Sequence, residues 1–112
     1  MEHLIQWTEF EKIDIRVGTI TDAAPFPKAK KPAYQLTIDF GTLGTKKSSA
    51  QITHHYTPDQ LKGEQVIAVV NFPPKNIAGF QSECLVLGIY DENNHVVLLE
   101  PKKSVANGLK VG

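Results

Sequence analysis

Thr57-Pro58-Asp59-Gln60-Leu61-Lys62-Gly63, running straight into Glu64-Gln65-Val66-Ile67-Ala68-Val69-Val70, is the stretch on which the fold turns. Thr57 and Gln60 have the spacing of a capping box, in which a hydroxyl and a side-chain carbonyl each satisfy an otherwise orphaned backbone N–H at a helix start. Pro58 falls at the first helical position, where its missing N–H costs nothing. Gly63 stops the helix after one or two turns. From Gln65 to Phe72 the chain is almost continuously apolar and reads as a strand buried on both faces. A single short helix, set immediately before a buried strand, therefore lies in the middle of the chain.

Everything around it reads as strand. Upstream, Ile13, Ile15 and Val17 alternate with Asp14 and Arg16, and the β-branched run continues to Thr21. Pro25, Pro27 and Pro32 bracket a loop that cannot continue a ladder. Tyr34, Leu36, Ile38 and Phe40 alternate with Gln35, Thr37 and Asp39, a strand with one buried and one wet face; Gly41 and Gly44 mark the turn into a weaker, more polar strand from Lys46 to Thr53. Downstream, Cys84 to Tyr90 reads as a second strand buried on two sides, Asp91 to His95 as a turn, and Val96 to Leu99 as a last strand ended by Pro101. At the start, Thr8-Glu9-Phe10-Glu11 has capping-box form and predicts a short helical turn. Five or six short strands with one helix between the third and fourth describe an all-β OB-fold, a five-stranded Greek-key barrel with short terminal extensions. A sandwich would more naturally have seven strands and no helix at that point.

The 112 residues are one domain's worth, so residues 1–112 are expected to form a single domain. Lys and Arg number 12, as do Asp and Glu, and the formal charge is zero. That balance disfavours a protein that coats polyanions through overall charge. By segment the charge is uneven: residues 1–27 carry +2 and −5, whereas residues 28–47 carry +5 and −1. Lys28, Lys30 and Lys31 form one basic cluster and Lys46 and Lys47 another; either a hairpin between them brings both onto one rim, or they are two separate solvated turns. The single cysteine, Cys84, excludes an internal disulfide framework. No window approaches 18 continuous apolar residues, and the first residues lack the basic and apolar runs of a secretory signal, so a cytoplasmic protein without membrane insertion is expected.

Chemistry-bearing motifs are few. His3, His54, His55 and His95 include one adjacent pair, which in a strand would point to opposite faces, and no nearby cysteine; no metal site is predicted. Cys84 within C-L-V-L-G reads as a small buried hydrophobe. A nucleophile elbow, a P-loop and a dinucleotide fingerprint are all missing from the sequence, so neither an enzyme nor a cofactor is expected. The unusual stretch is Asn71-Phe72-Pro73-Pro74-Lys75-Asn76-Ile77-Ala78-Gly79-Phe80-Gln81-Ser82-Glu83. It leaves one buried strand, turns rigidly at two prolines, presents Lys75 and Asn76, and returns through Gly79. Phe72, Ile77 and Phe80 either close the barrel mouth or wall a groove for an extended ligand. Stacked bases and apolar peptide side chains both suit such a groove, and the chemistry alone does not choose between them.

Phe10-Glu11-Lys12-Ile13-Asp14-Ile15-Arg16-Val17-Gly18-Thr19-Ile20, Tyr56-x-Pro58-x-x-Leu61, Val66 to Pro74, Lys75, Gly79, Ser82 and Glu83 together resemble the bacterial-type tRNA-binding domain, an OB-fold module. The resemblance covers nearly the whole chain. Within that family, Ser48 to Thr53 and Val66 to Pro74 are similar to its stand-alone, export-related chaperone members. That likeness implies a homodimer built from the N- and C-terminal segments and a role holding unfolded or precursor polypeptides for the protein-export machinery; Trp7, Phe10, Val105, Leu109 and Val111 are the interface residues expected. Where tRNA-binding members commonly read H-P-x-A-D-K-L, this chain has Phe26-Pro27-Lys28-Ala29-Lys30-Lys31-Pro32, and the usual V-S-G segment is Ser48-Ser49-Ala50. The full tRNA motif is thus not carried over, although Asn71, Lys75, Ser82 and Glu83 match positions near the family's nucleic-acid face.

The expected function is accordingly an ATP-independent chaperone. Phe72, Ile77 and Phe80 are to supply apolar contact, Asn71, Asn76 and Ser82 to orient peptide backbone, and Lys28, Lys30, Lys31 and Lys75 to favour acidic flanks. The alternative is a module with tRNA as its main ligand, its lysines on phosphates and its aromatics under bases.

Overall fold

The computed structural model of the protein describes residues 3–112. Its frame is one long strand, β1 (Ile15–Pro25), with a different neighbour along each half. Ile15 to Thr19 run antiparallel to β4 (Gln65–Val69), and Thr19 to Pro25 antiparallel to β2 (Tyr34–Asp39). The register shifts between Ile20 and Asp22, leaving Thr21 as the extra residue of a bulge. A bulge bends and twists its strand, which lets β1 serve two walls. A turn at Gly41–Leu43 leads from β2 to β3 (Thr45–Ala50), and β7 (Leu85–Val86) pairs with β4, giving the order β3-β2-β1-β4-β7. Side chains and backbone then join the two edges: Ser48 Oγ donates to the Cys84 carbonyl at 2.8 Å, and the Glu83 N–H to the Lys47 carbonyl at 2.7 Å. The result is the nearly closed antiparallel barrel of an OB-fold.

The helix falls where the capping box predicts. In α2 (Pro58–Leu61), Thr57 Oγ1 accepts the Gln60 N–H and Gln60 Oε1 accepts the Thr57 N–H at 3.0 Å. Leu61, the last residue, is fully buried against Ile20, Leu36, Ile38, Phe40, Val66 and Ala68. Gly63 takes φ +90° and its N–H donates to the Ile20 carbonyl at 2.8 Å, which turns the chain into β4. Gly18 is the close-approach glycine: a Cβ there would lie 2.6 Å from Ile38 Cγ2 and 2.7 Å from the Phe40 ring.

Three expectations need correction, and one open alternative is decided. The N-terminal helix α1 (Trp7–Glu11) begins before Thr8; its start is closed by Glu9 Oε1 accepting the Gln6 N–H at 2.8 Å, so Thr8 lies inside the first turn. β1 starts at Ile15, leaving Ile13 largely exposed, because the chain still has to come round from α1. Residues 84–90 are not one strand buried on both sides: β7 ends at Val86, and β8 (Gly88–Tyr90) pairs only with β9 (Val96–Leu98), so Leu85, Ile89 and Tyr90 face outward. Finally, the β2–β3 hairpin keeps the two lysine clusters apart. Lys46 pairs with Ile38 and Lys47 with Thr37, four or five residues along the chain from the end of the loop at 26–33, a separation of about 13–17 Å at strand rise.

Two additions lie outside the barrel wall. β5 (Lys75–Ile77) and β6 (Phe80–Ser82) turn the proline-rich stretch into a small hairpin. The C-terminal segment lies along the first half of β1, where the Gly108 N–H donates to the Val17 carbonyl at 2.7 Å and the Val111 N–H to the Ile15 carbonyl at 2.8 Å.

Candidate functional site

The outer face of β3 and the strands after it form two adjoining grooves. The first, of about 380 Å³, runs between Phe72, Lys75, Ile77 and Ser82 and the barrel residues Ser49, Gln51 and Leu85. The second, of about 560 Å³, shares Ser49, Gln51 and Leu85 and continues to Lys31, Tyr90 and Asn94. Phe72 and Tyr90 are both more than half exposed, at 54% and 70%. Backbone edges, hydroxyls and an amide thus alternate with apolar surface along this face, with one uncovered aromatic in each groove.

Not every residue expected here is free to bind. Phe80 turns inward and meets the buried Phe26, ring centroids 5.4 Å apart, and so closes the barrel mouth. Asn71 ties β4 to the entry of β1: its Oδ1 accepts the Asp14 N–H at 2.9 Å and its Nδ2 donates to the Lys12 carbonyl at 2.7 Å. Asn76 Oδ1 accepts the Gly79 N–H at 2.8 Å, holding a turn in which Ala78 and Gly79 both have positive φ. Ser82 Oγ accepts the Ser49 N–H at 3.0 Å, and Glu83 Oε1 the Lys47 N–H at 2.9 Å. The Ser82 hydroxyl proton remains available as a donor in the groove. Lys28, Lys30 and Lys31 are all exposed on the loop before β2, and Lys31 reaches the second groove.

Sequence reasoning missed Ser49, Gln51, Leu85 and Tyr90. The run Cys84 to Tyr90 carries no period to say which side chains face out; the one signal was Gly88, which marks a break in a strand pattern. Cys84 itself is buried, and burial pushes its thiol up to about 11. At pH 8 that leaves about 0.1% thiolate, against roughly a quarter for a free cysteine near 8.5. Alkylation by iodoacetamide at pH 8 is therefore expected to run a few hundredfold slower than for glutathione; a rate within tenfold of glutathione would show that the thiol is not held in the core.

A second cluster lies beside the second groove. His54 and His55 belong to the turn after β3, not to a strand, so they need not diverge. The His54 ring stacks on His95 at 3.6 Å and 8°, and His55 Nε2 lies 2.7 Å from Asp91 Oδ2. Asp91 Oδ1 accepts the N–H groups of Asn93 and His95. The His95 amide first, and then the His55 ring, hold the Asp91 carboxyl down to about 2.

The terminal residues expected at an interface are uncovered. Trp7 is 70% exposed, with its ring centroid 5.5 Å from Phe10, and Ile5 joins them in a shallow apolar recess. Val105 and Leu109 are exposed and Val111 is half-buried. The tail that carries them is held to β1 by Arg16, whose Nη1 donates to the Gly108 carbonyl at 3.0 Å while its Nε pairs with Asp14.

A barrel of this topology places the protein in the OB-fold class, and the chain belongs to the tRNA-binding domain family: residues 15–110 match the family described as "Putative tRNA binding domain". It is similar, at 51% identity and a TM-score of 0.94, to the chaperone CsaA of Bacillus anthracis str. Ames, covering 98% of this chain and 100% of that one. The CsaA chaperone protein of Picrophilus torridus matches at 50% identity and a TM-score of 0.91, over 97% and 100% of the two chains. The methionine–tRNA ligase of Porphyromonas gingivalis strain ATCC 33277 is 36% identical over 107 residues, 96% of this chain. The chain spans only about 15% of the length of such curated relatives. These findings bear out both the family resemblance and the barrel expected from the motifs.

Proposed function

We propose that the chain is an ATP-independent chaperone of one domain that holds extended, partly apolar segments of unfolded or precursor polypeptides for export, acting as a homodimer in the cytoplasm. The observation that carries this reading is the pair of adjoining grooves with Phe72 and Tyr90 uncovered and Ile77 and Leu85 as apolar surface. An extended peptide gains about 25 cal/mol for each Å² of apolar surface that it buries there, and Ser49, Gln51 and Ser82 offer hydrogen bonds to its backbone. Similarity to CsaA chaperones over whole chains supports it. The exposed apolar residues at both termini support the dimer, and among the described residues no helix is long and apolar enough to cross a membrane.

A second reading, tRNA as the main ligand, is favoured by the family itself and by Lys31 lining the second groove. Competition between labelled tRNA and an unfolded polypeptide at two salt concentrations separates the two. Four lysines on phosphates would weaken tRNA binding about 50- to 150-fold between 50 and 200 mM salt. Protection of the polypeptide from aggregation is expected to change little over the same range. Tight, steeply salt-dependent tRNA binding without any protection would overturn the chaperone reading. The dimer is checked by sedimentation, where a stable monomer at micromolar concentration would remove the proposed interface.

A further inference from the structure

We propose that His55, Asp91 and His95 form a site for a borderline divalent transition-metal ion, zinc above all, beside the second groove and independent of what that groove binds. The donor atoms of the three side chains lie within 4.8 Å of one another, although His55 and Asp91 are 36 residues apart in sequence. In a tetrahedral zinc site, with bonds of about 2.0–2.1 Å, neighbouring donors stand about 3.3 Å apart. Binding therefore requires the 2.7 Å His55–Asp91 contact to open and the wider separations to shorten, small side-chain adjustments for which the exposed His55 has room. An ion then replaces the proton now shared between His55 Nε2 and Asp91 Oδ2, with His55 in its other neutral tautomer.

The donor set selects the metal. Two imidazole nitrogens and one carboxylate oxygen suit zinc and its neighbours. Calcium and magnesium take mainly oxygen donors, six or more for calcium, and find a single carboxylate here. Three protein ligands also leave a fourth position for water or for a group of the bound ligand.

The arrangement is held before any ion arrives, which distinguishes it from a chance pairing of surface charges. Asp91 Oδ1 is occupied by the N–H groups of Asn93 and His95 at 3.0 and 2.9 Å, so Oδ2 is the oxygen left facing His55. The hairpin turn is locked by the Asn94 N–H on the Asp91 carbonyl and by Asn94 at φ +63°. His95 is backed by the parallel His54 ring, which restricts its rotation. These are the outer contacts that fix ligand orientation in metal sites. Lys31, a cation like the ion, shares a recess with His54, Asn94 and His95; its ammonium sits on a flexible stem and can turn to water.

The test is a Co²⁺ titration of the full chain followed by visible absorption, with Zn²⁺ added in competition. Expected are one ion per chain, a d–d spectrum of four- or five-coordinate form, and displacement by Zn²⁺. His55→Gln and His95→Gln should each weaken Zn²⁺ binding by at least about tenfold, the lower end of what even an outer partner contributes. Asp91→Asn keeps an oxygen for the turn's N–H groups but loses the charged ligand, so it should fold normally and also bind at least about tenfold more weakly. His3→Gln is the control and should bind as the parent does. No binding below about 100 μM, binding lost in the His3 variant, or any one of the three ligand variants binding as tightly as the parent would each overturn the three-ligand site.

Discussion

Phe40→Ala is expected to lower the free energy of unfolding by about 3–5 kcal/mol, a large part of the 5–15 kcal/mol that domains of this kind possess. Phe40 is wholly buried at the end of β2, and two glycines approach it. On Gly18 an added Cβ would touch its ring, and on Gly108 an added Cβ would come within 2.5 Å of its carbonyl oxygen. Its ring therefore fills the space under β1 while its backbone receives the C-terminal segment. The packing makes a further demand. Gly18→Ala alone overpacks this contact and should cost about 1–3 kcal/mol. In the Phe40→Ala background the ring contacts are gone, leaving the equally close Ile38 Cγ2, so the two losses should sum to less than their separate values by about 0.5–3 kcal/mol. Urea unfolding of the four proteins, at one fixed protein concentration because the stability of the proposed dimer would depend on it, measures the cycle. Strict additivity would mean that β1 shifts as a whole to accept the methyl group and that Gly18 does not owe its identity to Phe40.

What the sequence made legible was local. The Thr57–Gln60 box and Pro58 act on their own neighbours, so the position of α2 followed from seven residues. The alternation of Leu36 and Ile38 in β2, continued by Phe40 just past its end, likewise reports its buried face directly. The site was less legible because its geometry depends on contacts between distant segments. Asn71 and Asn76 were expected to bind ligand, being polar residues flanking rigid prolines, yet the partners of Asn71 are Lys12 and Asp14, on the far side of the sequence. Whether Lys28 and Lys46 share a rim depends on the register of β2 with β3, which composition does not reveal. Tyr90 was hidden in an unbroken apolar run, and the meeting of His55 with Asp91 required the β8–β9 hairpin to fold over the turn before α2.

Neutralising the lysine loop, with Lys28→Gln, Lys30→Gln and Lys31→Gln together, is expected to separate the two ligand classes more sharply than any substitution inside the grooves. Each phosphate contact contributes about 0.7–0.9 decade of affinity per decade of salt. Referred to 1 M salt, three lysines on phosphates are therefore worth roughly 100- to 500-fold at 0.1 M, and their loss should flatten the salt dependence by about two to three units of slope. Capture of an apolar polypeptide should barely register the same change. The complementary variant, Phe72→Ala with Tyr90→Ala, removes the exposed part of two rings. Full burial of such a side chain contributes about 1.5–3 kcal/mol, and roughly half to two-thirds of each ring is uncovered beforehand. The pair should thus weaken polypeptide binding by about 2–3.7 kcal/mol, or roughly 30- to 500-fold. Stacking contributes a similar 1–3 kcal/mol per base, so the aromatic variant alone would not tell peptide from RNA. The lysine variant does. Because Lys31 reaches the second groove while Lys28 and Lys30 are exposed on the same loop, none of the three supports the core, and the variant should unfold at the parent's urea midpoint. Protection from aggregation measured with both variants then decides the matter: if it is abolished by the lysine substitutions and survives the aromatic ones, the grooves are not where polypeptides are held.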